Sequence, residues 1–207
     1  MIKLILFDLD GVLVDAVELH KRAFIQAVKE KGGYEVSDIF HDINLNGLPT
    51  KKKLSLLVSR NEINETDVET IEIEKQRLTQ SLIEDQIKKD EKKRLLLNTL
   101  LQDGYRVGCV TNSTARNAGS LLTAANLYHS LEIVISNQDV KFPKPHPEGY
   151  WQGMSHFGFI PEETLIVEDS DKGIQAAEAT GAHIWRVKGP SEVTWRNIAH
   201  VLRQMEE

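Results

Sequence analysis

Ile2-Lys3-Leu4-Ile5-Leu6-Phe7-Asp8-Leu9-Asp10-Gly11 is the stretch that decides how this chain folds. Residues 2–7 form an almost unbroken apolar run of strand formers. The run is too short for a membrane span and suits one buried parallel strand. It ends abruptly in two acids, Asp8 and Asp10, with Leu9 between them and a glycine behind. On a strand, positions i and i+2 share a face, so both carboxylates are expected in one crevice at the strand's carboxyl end. Open parallel α/β sheets bind their ligands at that end. Two acids at the mouth of an apolar strand are costly unless positive charge sits between them. A cation is therefore required from elsewhere in the chain.

Composition narrows the class. The 207 residues accommodate one large domain or a core with a smaller insert, and 41% hydrophobic residues are ample for a buried core. The net charge is −6 with acids and bases interspersed, which gives no reason to expect nucleic-acid or anionic-membrane partners. Cys109 is the single cysteine, so no intrachain disulfide forms, and its apolar surroundings mark a core thiol. The amino-terminal run is interrupted at once by acids, without a basic leader or small-residue cleavage site. No stretch approaches membrane-spanning length. A cytoplasmic protein is expected, monomeric at this size.

Outward from the first strand, apolar positions Val17, Phe24, Ala27 and Val28 recur at helical spacing and predict a helix over 17–31, stopped by Gly32-Gly33. Residues 34–49 read as loop or short helical turn. Asn46-Gly47-Leu48-Pro49 is a breaker cluster, and Thr50 is the expected N-cap of a helix to about 60. The stretch 65–101, rich in Glu, Lys, Gln, Ile and Leu, is expected as two helices dividing near Ile87–Asp90. Beyond the Asp103-Gly104 turn the pattern alternates. Strands are predicted at 105–110, 133–135, 164–167 and 183–187, and helices at 114–127, 148–157, 172–181 and 192–205. Trp151, Trp185 and Trp195 fall on these patterns as packing residues, and His146 as a loop residue. Alternating strands and helices predict a parallel sheet covered on both faces. The helical block after the first strand reads as an insert that could act as a lid. The expected organisation is an α/β, Rossmann-like three-layer core from 1–15 and 91–207, with a helical cap domain from 16–90.

Four strand ends then offer reactive groups to one crevice: Asp8/Asp10, Thr111-Asn112, Lys144 in the loop after the third strand, and Glu168/Asp169. Singly, each has an ordinary explanation as a turn, a helix cap or a solvated charge. In this order, each behind an apolar strand, they make a pattern. The chain here closely resembles the haloacid dehalogenase superfamily of phosphotransferases. Its four motifs stand as Phe7-Asp8-Leu9-Asp10-Gly11-Val12-Leu13, Thr111-Asn112-Ser113, Lys144-Pro145-His146-Pro147-Glu148 and Val167-Glu168-Asp169-Ser170-Asp171-Lys172-Gly173-Ile174. A cap between the first two motifs resembles the subgroup of β-phosphoglucomutase and phosphoglycolate phosphatase.

The resemblance implies Asp8 as nucleophile, forming an aspartyl-phosphate. It implies Mg²⁺ held by Asp8, the Asp10 backbone carbonyl and Asp169, with Glu168 in or near the shell. Lys144 would offset carboxylate repulsion, while the Thr111 hydroxyl and the Asn112 backbone N–H would hold the transferring phosphoryl group. Asp10 would be general acid and then base. Dehalogenases of the superfamily lack an acid there, which sets that activity aside. The implied function is Mg²⁺-dependent hydrolysis of a small phosphorylated metabolite, a sugar or polyol phosphate, with a β-phosphoglucomutase-like isomerase as the alternative and a silent binding module behind it.

Against the mutase stand two departures: no arginine near Leu48-Pro49-Thr50 to grip a distal phosphate, and Ala16 where the mutase has threonine. Within the insert, Glu18-Leu19-His20-Lys21-Arg22 resembles a mutase segment in which a histidine helps position the acid. On an amphipathic helix, however, such a histidine is more often structural. Thr50, Lys51 and Arg116 complete the candidates for substrate binding. The usual Pro-Gly on re-entry from the cap is replaced by Ile87-Lys88-Lys89-Asp90-Glu91.

Overall fold

β1 (Leu4–Phe7) is the middle strand of a five-stranded, all-parallel sheet in the computed structural model, which describes residues 1–45 and 48–205. Its partners are β2 (Arg106–Val110) on one side and β4 (Thr164–Glu168) on the other. β3 (Ile133–Ile135) and β5 (His183–Arg186) form the edges, giving the order β3-β2-β1-β4-β5. In register, Phe7 lies between Cys109 and Val167. The chain builds outward from β1 to β3, then crosses to β4 and builds the other way. The strand order therefore reverses between β1 and β4, and the crevice at their carboxyl ends is where such sheets bind ligands. Burial on both faces explains why all four residues of β1 are apolar rather than alternating.

Two compact units are distinguished, residues 1–15 with 88–207 and residues 16–87. In the first, α5 (Glu91–Gln102) packs on β2. α6 (Ala115–Ala124), α7 (Glu148–Phe157), α8 (Asp171–Glu178) and α9 (Trp195–Gln204) follow strands in turn. Tyr150 and Met154 of α7 and Ala176 and Ala177 of α8 close over Leu4, Leu6, Val110, Ile135 and Ile166. Gly153 lets α7 come close, because a Cβ there would stand 2.9 Å from Leu6 Cδ1.

The second unit is all helical: α1 (Val17–Gly32), the short α2 (Asp38–Phe40) running into a π-helical turn at His41–Leu45, α3 (Thr50–Ser59) and α4 (Val68–Gln86). α1 packs chiefly on α4, and Ala23, Phe24, Ala27 and Val28 meet Leu45, Leu54, Leu57, Ile63 and Ile71. Gly33 ends α1 in the left-handed region at φ 67°. Among the described residues no helix is long and apolar enough to cross a membrane.

Two local expectations are corrected, Thr50 as a cap and two tryptophans as core residues, while the 65–101 block divides at 87–90 as expected. Thr50 is the first helical residue of α3 rather than its cap. Pro49, at φ −56° and ψ 147°, occupies the cap position, and no side chain bonds there. Trp151 and Trp195 fall on helices as read, but they are 47% and 43% exposed and so lie largely outside the core. The division of the 65–101 block is set by Asp90, whose carboxylate accepts from Lys93 N–H at 2.8 Å and starts α5. The Asn46-Gly47 half of the breaker cluster lies outside the described residues.

His41 is an ionisable group sealed into the helical unit. It is 2% exposed, lies 5.9 Å from the Phe24 ring centroid, and takes Lys53 Nζ at 3.0 Å on Nε2. Burial first, then the Lys53 charge, lower its pKa from 6.5 to about 4, with Asp42 opposing. Because the folded value is depressed, the unfolded chain takes up this proton first as pH falls. Stability is then lost progressively between about pH 6.5 and about pH 4. Urea midpoints measured across that window should decline with acidification, and His41→Gln should flatten the decline. An equally steep slope in the variant would remove His41 as a contributor.

Candidate functional site

Beyond Phe7 the backbone leaves the sheet and winds into one tight turn. Leu13 and Val14 N–H both donate to Leu9 O, at 3.0 and 2.9 Å, and Gly11 N–H donates to Val14 O at 2.8 Å. Strand alternation therefore does not carry Asp10, because the strand has already ended; the turn brings it in. Gly11 sits at φ 90°, and any Cβ on it would overlap the Asp169 carboxylate, so glycine is required for both conformation and space. Asp8 is buried and anchored by its N–H to Val167 O at 2.9 Å. Asp10 Oδ2 accepts from the Ser113 hydroxyl at 2.7 Å.

At the end of β2, Thr111 donates its N–H to Ile135 O at 2.8 Å, and its Oγ1 accepts from Ser113 N–H at 3.0 Å. The Asn112 carboxamide reaches the backbone of Lys144. Lys144 Nζ donates to Asp8 Oδ1 at 2.6 Å, Glu168 Oε1 at 2.6 Å and Val110 O at 2.7 Å, which uses all three ammonium protons. This is the cation expected beside Asp8, but it bridges Asp8 to Glu168 rather than to Asp10. The Tyr150 ring lies 4.8 Å from that ammonium, and its hydroxyl donates to Glu168 Oε1 at 2.8 Å. The other Glu168 oxygen accepts from Asp169 N–H at 3.0 Å and from Ser170 N–H at 3.2 Å. A Cβ on Gly173 would overlap the Glu168 carboxylate, so α8 begins directly against it.

The charges settle unequally. Burial works against the Lys144 ammonium, but Asp8 and Glu168 outweigh it and hold the pKa well above the ordinary lysine value. Burial likewise opposes ionised Glu168, yet Lys144, the Tyr150 hydroxyl and Ser170 N–H keep it below the usual carboxylate range. Asp8 goes the other way. Burial, partly offset by Lys144 and reinforced by Glu168 and Asp10, pushes it well up. Burial and the Glu168 charge raise Asp169 to about 6.

Asp8, Glu168 and Asp169 each offer an oxygen within 4.8 Å of the others. Three carboxylates against one ammonium leave two negative charges uncompensated, and Asp169 Oδ1 is buried with no hydrogen-bond donor. Hard oxygens with this charge deficit fit a small divalent cation such as Mg²⁺. Glu168 spends its oxygens on Lys144, Tyr150 and backbone N–H groups, so Asp8 and Asp169 have more free valence for an ion.

Asp8, Asp10, Thr111, Asn112, Lys144, Glu168 and Asp169 are thus linked within one unit by these contacts. Arg116 lies exposed in the first turn of α6. His20, in the first turn of α1, and Thr50 and Lys51, at the start of α3, belong to the helical unit. Sequence reasoning missed Tyr150 and gave Ser113 no role. Six positions after Lys144, Tyr150 carried no periodic signal beyond an ordinary core aromatic.

The profile of the haloacid dehalogenase-like hydrolases matches residues 5–187. The chain is 30% identical over 181 residues to the fructose-1-phosphate phosphatase YqaB of Escherichia coli, covering 86% of this chain and 92% of that one. It is 42% identical over 85 residues to a phosphoglycolate phosphatase of Nitrosococcus oceani, covering 41% of this chain and spanning 38% of that protein's length. A β-phosphoglucomutase of Clostridium difficile superposes with a TM-score of 0.80 over 99% of this chain and 98% of that one, at 20% identity, a likeness of fold.

Lys144→Met should strand two buried carboxylates and destabilise the metal-free protein by about 3–5 kcal/mol. In the variant the folded chain binds protons on those acids more readily than the unfolded chain does. The deficit should therefore shrink as pH falls. Urea unfolding of both proteins in chelator over a pH series checks this, and a small, pH-independent deficit would contradict it.

Proposed function

Because the chain belongs to the haloacid dehalogenase-like hydrolase family and is a phosphatase of that family, we propose that it hydrolyses the monoester of a small phosphorylated metabolite, a sugar or polyol phosphate, through an aspartyl-phosphate on Asp8. The observation that carries this reading is the Lys144 ammonium shared between Asp8 and Glu168 beside Asp169, at the reversal of strand order. Mg²⁺, held by Asp8, Asp169 and the Asp10 backbone carbonyl with Glu168 behind them, would supply positive charge that lets a carboxylate meet an anionic ester.

The chain's own groups do the rest. Lys144 occupies Asp8 Oδ1, which leaves Oδ2 as the attacking oxygen. It forms the new bond to phosphorus as the ester P–O bond breaks, and Asp10 gives a proton to the departing alcohol. Asp10 then takes a proton from water, which attacks phosphorus, releases inorganic phosphate and restores Asp8. Thr111 Oγ1 already accepts from Ser113 N–H, so its own proton is free for a phosphoryl oxygen, alongside the Asn112 backbone N–H. Ser113 holds one oxygen of Asp10 and thereby fixes the direction of the acid. Candidates for substrate contact are Arg116 in the first unit and, separately, His20, Thr50 and Lys51 in the helical unit, groups whose chemistry suits a phosphorylated polyol.

A panel of sugar, polyol and two-carbon phosphates with Mg²⁺ should show phosphate release that chelator abolishes and Asp8→Asn eliminates. Interconversion of sugar 1- and 6-phosphates without net release would instead make the chain a mutase. Silence across the whole panel would remove it from catalysis.

Asp10→Asn should retain Mg²⁺ and substrate binding while slowing turnover by roughly 10²–10⁴-fold, the usual share of acid–base help. A wild-type rate in that variant would assign the proton to another group.

A further inference from the structure

Lys144 is held at both ends. Its ammonium is fixed by Asp8, Glu168 and Val110 O, and its backbone is fixed by a side chain from the turn that follows β2. The stretch Pro143-Lys144-Pro145-His146-Pro147 contains three residues without a backbone N–H, so a ladder of strand hydrogen bonds is impossible there. Only Lys144 and His146 own donors in it. His146 N–H turns back to Pro143 O at 3.1 Å. Lys144 N–H goes to Asn112 Oδ1 at 3.0 Å, and Lys144 O accepts from Asn112 Nδ2 at 3.0 Å.

A carboxamide carries the donor and acceptor of a peptide bond, so Asn112 replaces the strand neighbour that the prolines exclude. The reciprocal pair also fixes the orientation of the amide, since reversing it would set donor against donor and acceptor against acceptor.

We propose that the Asn112 side chain is a positioning residue: by clasping the backbone of Lys144 it sets where the ammonium bears on Asp8, and through that the rate of attack on phosphorus. The inference rests on the reading of Asp8 as nucleophile given above. The lysine stem is long and flexible, and only its two ends are tied. Releasing the backbone end lets the ammonium drift, and displacements of about 1 Å at a reacting group cost up to about 10²-fold in rate. The backbone N–H of Asn112, assigned above to a phosphoryl oxygen, survives any substitution of the side chain. The two roles are therefore separable.

The test uses Asn112→Ala, and Asn112→Asp, which keeps the shape and the acceptor but loses the donor. With p-nitrophenyl phosphate and Mg²⁺, both should lower kcat about tenfold or more and leave KM within about twofold. Hydrogen exchange of the Lys144 amide, read without substrate, should accelerate in Asn112→Ala. Within a Lys144→Met background the same change should cost less than about twofold of the residual turnover.

A raised KM at unchanged kcat would make Asn112 a substrate contact and overturn the inference. So would an unchanged amide exchange rate, an unchanged kcat, or an equal kcat loss in the Lys144→Met background. Wild-type protein that is active while Asn112→Ala is equally active sinks this inference alone. Wild-type protein inactive on every phosphoester sinks the functional reading and this role with it.

Discussion

One ammonium organises the catalytic end of the sheet. Lys144 comes from the loop after an edge strand and touches groups at the ends of β1, β2 and β4 through Asp8, Val110 O and Glu168. A buried lysine is tolerable only when every proton on it is used and its charge is matched, and both conditions hold here. The same contacts make two closely placed carboxylates tolerable in an apolar setting. Lys144 and Glu168 each hold the other in its charged form, while burial still pushes Asp8 and Asp169 up.

Around that ammonium the carboxylates take different parts because their partners differ. Glu168 is surrounded by donors, from Lys144, Tyr150 and two backbone N–H groups, and acts as a brace. Asp169, one residue on, has an oxygen without a donor and a raised pKa of about 6, which makes it the carboxylate best suited to the proposed ion. Asp10 is aimed by the Ser113 hydroxyl. Glycines at 11 and 173 bring the backbone against these acids where any Cβ would collide. Side-chain packing that close leaves the carboxylates little freedom, which favours a preorganised site.

Much of this was legible in the primary structure. The apolar runs at 4–7, 106–110 and 164–167 lie where strands lie, and the acids, Thr111-Asn112 and Lys144 follow strands in the order read. Other details were not. The i, i+2 argument accounted for Asp10 by a strand that ends at Phe7, whereas a turn does the work. Thr50 looked like a helix cap until Pro49 took that position. Trp151 and Trp195 looked like core residues because tryptophan on a periodic pattern usually is, and nothing local reports which side of a helix has a neighbour. Tyr150 looked like any core aromatic, because its hydroxyl acquires a role only when Glu168, eighteen positions later, arrives beside it.

The sequence alone determined the parallel α/β class, the helical insertion after the first strand, and the chemical kinds of group at each strand end. All of these depend on short-range patterns of burial and on the residues that follow them. Tertiary structure decided which acid pairs with which cation, that Glu168 braces while Asp169 is left free, and that Asn112 clasps the backbone of Lys144. Those choices are made between residues tens of positions apart, at hydrogen-bonding distances that only the closed sheet defines. No local propensity encodes them, because each depends on where the other partner comes to rest.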